Sequence, residues 1–189
     1  MKEISKAMVI GAGTMGHGFA QILATRGVKV KLVDQNQELL NRAREWIYDN
    51  LSYMVDLGEA DKSTISPALN RIEFTTDIGS AAHEAEYVLE AVNEDLELKK
   101  SVFKELEQHL HPGVILASNT SSFDIGEMGA ATIHPERFIG THWFHPPQIT
   151  PCVEIIPSDM TSEQTIEYTM AFMSRLGKFP TICKSSPGF

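Results

Sequence analysis

A glycine-rich segment near the N-terminus constrains the fold of this chain more than any other feature. A short apolar run, Ala7–Ile10, leads into Gly11, and Gly13 and Gly16 follow in the spacing G-x-G-x-x-G. An apolar pattern at helical spacing begins directly after this motif. Such a strand–loop–helix unit lets an anion approach the backbone and directs the free N–H groups of the helix N-terminus towards it. The segment therefore predicts a phosphate-binding loop.

A second apolar run, Val28–Val33, ends in Asp34 and completes the unit. An acidic side chain at this place accepts hydrogen bonds from both ribose hydroxyls and repels a 2′-phosphate, which favours NAD over NADP. The alternative is a glycine-rich turn that binds no nucleotide. The candidate cofactor-binding residues in this part of the chain are Gly11, Gly13, Thr14, Met15, Gly16 and Asp34.

Length and charge bound the function classes that remain. The chain has 189 residues, which suits one large domain or a domain with an appendage. Its net charge of −9 argues against nucleic acid as the main partner. It does not exclude an anionic ligand, because a glycine loop binds phosphate through backbone dipoles. No apolar run is long enough to span a membrane, so we expect no membrane association.

The cysteine content indicates the compartment. Cys152 and Cys183 are the two cysteines, and the N-terminus carries no signal-like segment. We therefore expect both side chains to be reduced thiols in a cytoplasmic protein.

Strand-like and helix-like patterns alternate along the chain, which predicts an α/β fold with a mostly parallel sheet covered on both faces. A turn and a short helix are expected within residues 61–70. The predicted helices are Gln37–Leu57, Ala81–Ala85, Leu96–Leu110, Phe123–Met128 and Ser162–Leu176. The later predicted strands are Ile72–Phe74, Tyr87–Val92, Val114–Ala117, Phe138–Thr141, Val153–Ile156 and Phe179–Cys183.

Three polar segments fall at the ends of predicted strands. They are Val92–Asp95, Ser118–Ser122 and Thr141–Pro147. Ligands of open α/β sheets bind beyond the carboxyl ends of the strands. We therefore expect all three segments to face the same crevice as the glycine loop.

Together with the glycine loop, these segments resemble those of the 3-hydroxyacyl-CoA dehydrogenases, and the resemblance covers essentially the whole chain. The resemblance implies a Rossmann-like, doubly wound fold, with residues 1–189 forming the NAD-binding domain. It also implies reversible oxidation of a 3-hydroxyacyl-CoA to the 3-ketoacyl-CoA by NAD, as in fatty acid beta-oxidation. The matching motifs span residues 11–16, 90–99, 117–122, 137–147, 153–156 and 186–189.

The same resemblance implies roles for individual residues. His142 is the general base that takes the hydroxyl proton while the hydride at C3 leaves for the nicotinamide. Glu154 holds the His142 ring and stabilises the imidazolium, and Ser121 hydrogen-bonds the substrate oxygen. Imidazole suits this role because it titrates near neutral pH and a carboxylate partner selects its tautomer. The positions that match cofactor-facing residues are Asp34, Glu94, Lys99 and Asn119.

Each of these residues also has an ordinary structural interpretation. His142 fits a surface or capping histidine, and Ser121 and Ser122 fit caps of the helix that follows. Lys99 fits a solvated helix face, and Glu154 fits an ordinary strand charge. His142 and His145 lie three apart, so an extended strand directs them to opposite faces, and we expect no metal site.

Two departures from the family leave alternatives open. His145-Pro146 stands where the family has Asn-Pro, which leaves the substrate preference open. The family's helical C-terminal domain is absent after Phe189, so a homo-oligomer or a separate helical domain is the expected partner. Besides the dehydrogenase, the candidate functions are an NAD-binding module without turnover and a dehydrogenase of a non-CoA hydroxy acid.

Overall fold

One eight-stranded sheet organises the structure, a computed structural model that describes residues 3–186. The strands lie in the order β3-β2-β1-β4-β5-β6-β7-β8. Apolar and β-branched residues dominate the inner strands, as expected where both faces are covered. The strands are β1 (Lys6–Ile10), β2 (Lys29–Val33), β3 (Ile72–Thr75), β4 (Tyr87–Glu90), β5 (Ile115–Ser118), β6 (Phe138–Trp143), β7 (Cys152–Ile156) and β8 (Phe179–Ile182).

Helices pack on both faces of the sheet and enclose two separate hydrophobic cores. Neighbouring residues of a strand point into opposite cores: Val9 of β1 packs with one set and Met8 with the other. The prediction of a doubly wound α/β fold is therefore confirmed. The helices are α1 (Gly16–Thr25), α2 (Gln37–Asp56), α3 (Ile65–Leu69), α4 (Ile78–His83), α5 (Leu96–Leu106), α6 (Ile125–Ala130) and α7 (Glu163–Arg175).

The direction of the strands changes once. The first six strands in sequence are parallel to one another, β7 runs antiparallel to β6, and β8 runs parallel to β7. The carboxyl ends of β1, β4, β5 and β6 therefore meet at one edge of the sheet. The connection across residues 144–151 lies at the same edge, because it follows the carboxyl end of β6.

Helix starts differ from the sequence prediction because short capping side chains decide them. Asp77 accepts a hydrogen bond from the N–H of Ser80 at 3.0 Å, so α4 begins at Ile78 and not at Ala81. Asp124 accepts from the N–H of Glu127 at 2.8 Å, so α6 begins at Ile125. The alternative in which Ser121 or Ser122 caps this helix is therefore wrong.

Other ends also differ from the prediction. Tight turns after Leu106 end α5 four residues early, with the N–H of His109 bonded to the carbonyl of Leu106. Strand β6 extends through Trp143, which places His142 inside the strand. The motif at residues 186–189 lies largely outside the described residues, since Pro187–Phe189 are not described. No described helix is both long and apolar enough to cross a membrane.

A buried ion pair joins three elements near the edge of the sheet where the carboxyl ends of β1, β4, β5 and β6 meet. Lys99 of α5 contacts the Glu90 carboxylate at the end of β4 at 2.6 Å, and both side chains are at most 1% exposed. The same carboxylate accepts a hydrogen bond from the Ser118 hydroxyl of β5 at 2.6 Å and one from the N–H of Val92 at 2.8 Å. Burial raises the pKa of Glu90, and the charge of Lys99 opposes that effect.

We expect the substitution Lys99→Met to lower the free energy of unfolding by roughly 3–5 kcal/mol, because it leaves a buried carboxylate without its counter-charge. Urea unfolding at pH 7 measures this change. The neighbouring substitution Lys100→Met is the matched control, since Lys100 pairs with Glu127 at the surface. Equal effects of the two substitutions would show that the buried pair does not stabilise the fold.

Candidate active site

The glycine loop connects the end of β1 to the first turn of α1. Gly11 donates its N–H to the carbonyl of Val33 at 2.8 Å, which ties the loop to β2. A Cβ on Gly16 would lie 1.7 Å from the carbonyl oxygen of Gly11, so helix and loop approach as closely as backbone allows. A Cβ on Gly13 would meet no atom within 4 Å, so the fold itself does not require glycine there. This open space above the backbone fits a bound pyrophosphate.

Asp34 organises the loop from the end of β2. One carboxylate oxygen accepts the N–H of Ala12 at 2.9 Å, and the other accepts the N–H of Asn36 at 2.9 Å. Each oxygen keeps a further lone pair for a ribose hydroxyl. Thr14 is exposed at the tip of the loop, and Met15 packs partly against the core.

His142 and Glu154 stand directly opposite each other on the antiparallel strands β6 and β7. Nδ1 of His142 lies 2.7 Å from a carboxylate oxygen of Glu154, and the two side chains are 19% and 24% exposed. A carboxylate only accepts hydrogen bonds, so Nδ1 carries the proton and Nε2 of the neutral ring is the basic nitrogen. The Phe144 ring packs 4.9 Å from the imidazole. The contact gives an imidazole whose ring is oriented by a carboxylate.

Asn119 links the end of β5 to β6 beside this pair. Its side-chain oxygen accepts the N–H of Trp143 at 2.9 Å, which leaves the NH₂ group as the donor for a ligand. Ser121 lies in the segment that follows. It is exposed, and its hydroxyl has no hydrogen-bond partner among residues 3–186. The neighbouring hydroxyl of Ser122 is occupied by Glu94 at 3.0 Å. The hydroxyl of Ser121 is thus open to a ligand, whereas that of Ser122 is occupied.

Glu94 shapes the segment that holds Ser121. One of its oxygens accepts from the hydroxyl of Thr120 at 2.5 Å, the N–H of Ser121 at 2.9 Å and the hydroxyl of Ser122. Burial alone raises the pKa of Glu94, but these hydrogen bonds and the charge of Lys99 outweigh it and the pKa is lowered. The carboxylate is therefore ionised over the whole neutral range.

The sequence predicts that Lys99 faces the cofactor, but in the structure its side chain is buried. Its side chain is 1% exposed, so it has almost no surface with which to contact a ligand in this conformation. Its ammonium lies between Glu90 at 2.6 Å and Glu94 at 3.2 Å. Sequence reasoning missed Glu90, although a glutamate at the end of an otherwise apolar strand was a signal that could have found it.

The three polar segments predicted to share the crevice do approach one another. Glu94 contacts the 120–122 segment, and Asn119 contacts the end of β6. His145 lies just beyond β6 in the connection to β7. Within the part of the chain that the structure describes, no cluster of three or more His, Cys, Asp or Glu residues has the arrangement of a metal site.

We expect the 120–122 segment to loosen in acid. Because the folded chain lowers the pKa of Glu94, its contribution to stability is fully present above about pH 4.3 and is lost as the pH falls through the lowered value. Amide hydrogen exchange of residues 120–123, corrected for the intrinsic rate, should accelerate over this range. In Glu94→Gln the same amides should exchange faster already at pH 7, without a further acid step. An acid step that survives this substitution would assign the effect to another carboxylate.

Comparison with known proteins places the chain in a family. The family model described as "3-hydroxyacyl-CoA dehydrogenase, NAD binding domain" matches residues 6–186. Mitochondrial hydroxyacyl-coenzyme A dehydrogenase of Sus scrofa is 36% identical over 191 residues, a match that covers 98% of this chain. The chain spans 61% of the length of that relative.

Solved structures show the same fold. (S)-3-hydroxybutyryl-CoA dehydrogenase from Ralstonia eutropha has a TM-score of 0.96 and 33% identity, covering 99% of this chain and 66% of its own. The NAD+-dependent dismutase named 5-formyl-3-hydroxy-2-methylpyridine 4-carboxylic acid 5-dehydrogenase has a TM-score of 0.89 and 33% identity, covering 99% and 60%. The glycine loop with Asp34 and the paired His142 and Glu154 are thus found in a chain that belongs to the family of 3-hydroxyacyl-CoA dehydrogenase NAD-binding domains.

Proposed function

We propose that this chain is the cofactor-binding and base-carrying part of an NAD-dependent 3-hydroxyacyl-CoA dehydrogenase. The observation that carries the proposal is the contact of 2.7 Å between Nδ1 of His142 and Glu154. It lies at the same edge of the sheet as the open glycine loop. A general base beside a dinucleotide site is the arrangement that oxidation of a hydroxyl requires.

The chain's own residues divide the work of the reaction. Nε2 of His142 takes the proton of the substrate hydroxyl, and Glu154 stabilises the imidazolium that forms. Ser121 donates a hydrogen bond to the same substrate oxygen, and the NH₂ of Asn119 orients the ligand beside it. Bound nicotinamide supplies the chemistry that the side chains lack, as the acceptor of the hydride from C3.

The cofactor is held by the loop and by the carboxylate after β2. The backbone N–H groups at the start of α1 face the pyrophosphate, and Asp34 accepts from the ribose hydroxyls. Glu94 acts by holding the Ser121 segment, and Lys99 acts through Glu94. The proposed role of Lys99 is thus positioning and not direct contact, which follows from its burial.

The proposed acyl-CoA site extends beyond the residues matched to the NAD-binding domain. The family model that matches residues 6–186 describes an NAD-binding domain, and the chain spans 61% of the length of the mitochondrial relative. We propose that a helical domain outside residues 1–189 completes the acyl-CoA site. Cys152 and Cys183 are both free thiols in the structure, which supports a reducing compartment such as the cytoplasm.

A second candidate is a dehydrogenase of a hydroxy acid without CoA. The observation that favours it is the 33% sequence identity to the pyridine carboxylic acid dehydrogenase, the same value as for the hydroxybutyryl-CoA enzyme. A third candidate, an NAD-binding module without turnover, predicts binding alone.

The deciding experiment is NADH oxidation on addition of acetoacetyl-CoA, with this chain alone and with the helical domain of a relative added. We expect turnover at least in the second case, and His142→Asn should lower kcat by roughly 10²–10⁴-fold while NADH still binds. Glu154→Gln should lower kcat less. Turnover of a hydroxy acid but of no acyl-CoA would favour the second candidate. NADH binding without turnover of either substrate would favour the third.

We expect Gly13→Ala and Gly16→Ala to separate ligand binding from folding. The first adds a methyl group to open space, so the unfolding midpoint should change little while NADH affinity falls by at least tenfold, about 1.4 kcal/mol. The second forces a methyl group against backbone at 1.7 Å and should destabilise the fold itself. Thermal melts and NADH fluorescence titrations measure both effects. Unchanged NADH affinity in Gly13→Ala would contradict the assignment of the phosphate site.

A further inference from the structure

His17 lies in the first turn of α1, directly after the last glycine of the motif. Its ring folds back over the loop, and Nδ1 lies 2.8 Å from the carbonyl oxygen of Gly13. A carbonyl only accepts hydrogen bonds, so Nδ1 carries the proton in the neutral ring and Nε2 holds a lone pair. Nε2 has no hydrogen-bond partner among the described residues. The side chain thus couples directly to the loop residue that has open space above it.

Three side chains set the environment of this imidazole. The Trp46 ring of α2 packs against it at 5.1 Å, and the guanidinium of Arg42 lies 5.0 Å from the same indole. His145 approaches from the connection between β6 and β7. Burial lowers the pKa of His17, the Gly13 carbonyl opposes that effect, and His145 lowers the pKa further. Burial and the neighbouring His145 both oppose a charge on the ring, so the free protein favours the neutral form of His17 at pH 7.

The loop lacks any other source of positive side-chain charge. Residues 11–18 contain no lysine or arginine, and His17 is the one ionisable side chain among them. The whole chain carries a net charge of −9. A pyrophosphate bound at this loop brings two negative charges into a site whose fixed donors are backbone N–H groups. Among the side chains of the loop, the His17 imidazole is the one that can become positively charged and offset those charges.

We propose that His17 is a further cofactor-binding residue, which takes up a proton when the dinucleotide binds and places a positive charge beside the pyrophosphate. The proposal rests on the proposed function, because it takes the dinucleotide to occupy the glycine loop. It adds a consequence that backbone recognition alone does not have, since backbone N–H groups do not titrate near neutral pH. Affinity for the dinucleotide is therefore coupled to pH through this one side chain.

The direction of the coupling follows from proton linkage. The free protein binds fewer protons at His17 than the complex does, so lowering the pH favours the complex. Each unit by which the ligand shifts the titration is worth a factor of ten in affinity. We expect NADH to bind roughly three- to tenfold more tightly at pH 6 than at pH 8.

Two measurements on the whole chain test this directly. Calorimetric titration of NADH at pH 7 in buffers of different ionisation enthalpy should show uptake of a fraction of a proton per NADH bound. NMR of the imidazole signals should show the His17 titration moving to higher pH when NADH is present. Neither measurement depends on turnover.

The substitution His17→Asn is the informative variant. An asparagine NH₂ group can replace Nδ1 as the donor to the Gly13 carbonyl, but it cannot titrate. NADH affinity in this variant should be nearly independent of pH between 6 and 8, and the proton uptake should disappear. The matched control is His134→Asn, which removes an exposed histidine paired with Glu136 and should retain both properties.

A further variant tests the neighbourhood of the ring. His145→Asn removes a group that opposes protonation of His17, so the NMR titration of His17 should move to higher pH even without ligand. NADH binding with no proton uptake, or uptake that persists in His17→Asn, would overturn the inference and leave the proposed function intact. Absence of NADH binding in the unsubstituted chain would instead count against the proposed function itself.

Discussion

The buried contact between Lys99 and Glu90 is the interaction on which the order of the functional edge depends. Charges removed from water must find partners, and this pair does so where β4, β5 and α5 meet. Removing one partner of such a pair leaves the other charge buried and uncompensated, so the contact favours the one arrangement in which both charges are paired. Here that arrangement extends outward, because the same ammonium contacts Glu94, and Glu94 holds the Ser121 segment. The exposed Ser121, which we propose contacts the substrate, is thus positioned through a buried group.

On the other side of the crevice, the antiparallel pairing of β6 and β7 likewise positions side chains relative to one another. Residues directly opposite on an antiparallel pair share a face and lie close enough for their side chains to meet. The register sets His142 against Glu154, and packed strands on both sides hold that register. A base and its carboxylate built on strands are held more rigidly than the same residues on loops.

The sequence predicts most of the fold and only part of the site, and the division has a physical cause. Alternating apolar patterns and the glycine motif are local signals, so the type and order of the elements followed from them. The sequence does not predict where α4 and α6 begin, because a single hydrogen bond to the capping residue, Asp77 or Asp124, decides each start. The contact between His142 and Glu154 spans twelve positions and depends on register, which no local pattern encodes. The family resemblance pairs His142 with Glu154. The burial of Lys99 and the contacts of Glu90 with Lys99 and Ser118 are visible only in the structure.

Hydrogen bonds that Asp34 accepts hold the glycine loop of this acidic chain in shape. Asp34 spends one lone pair of each oxygen on the N–H groups of Ala12 and Asn36, which fixes the loop relative to β2. One further lone pair on each oxygen remains for a ligand, so the residue that we propose binds the ribose also fixes the loop. A lysine or arginine in the loop would add attraction for any phosphate, including the 2′-phosphate that Asp34 repels. A neutral imidazole that gains its charge only with the ligand keeps that selectivity.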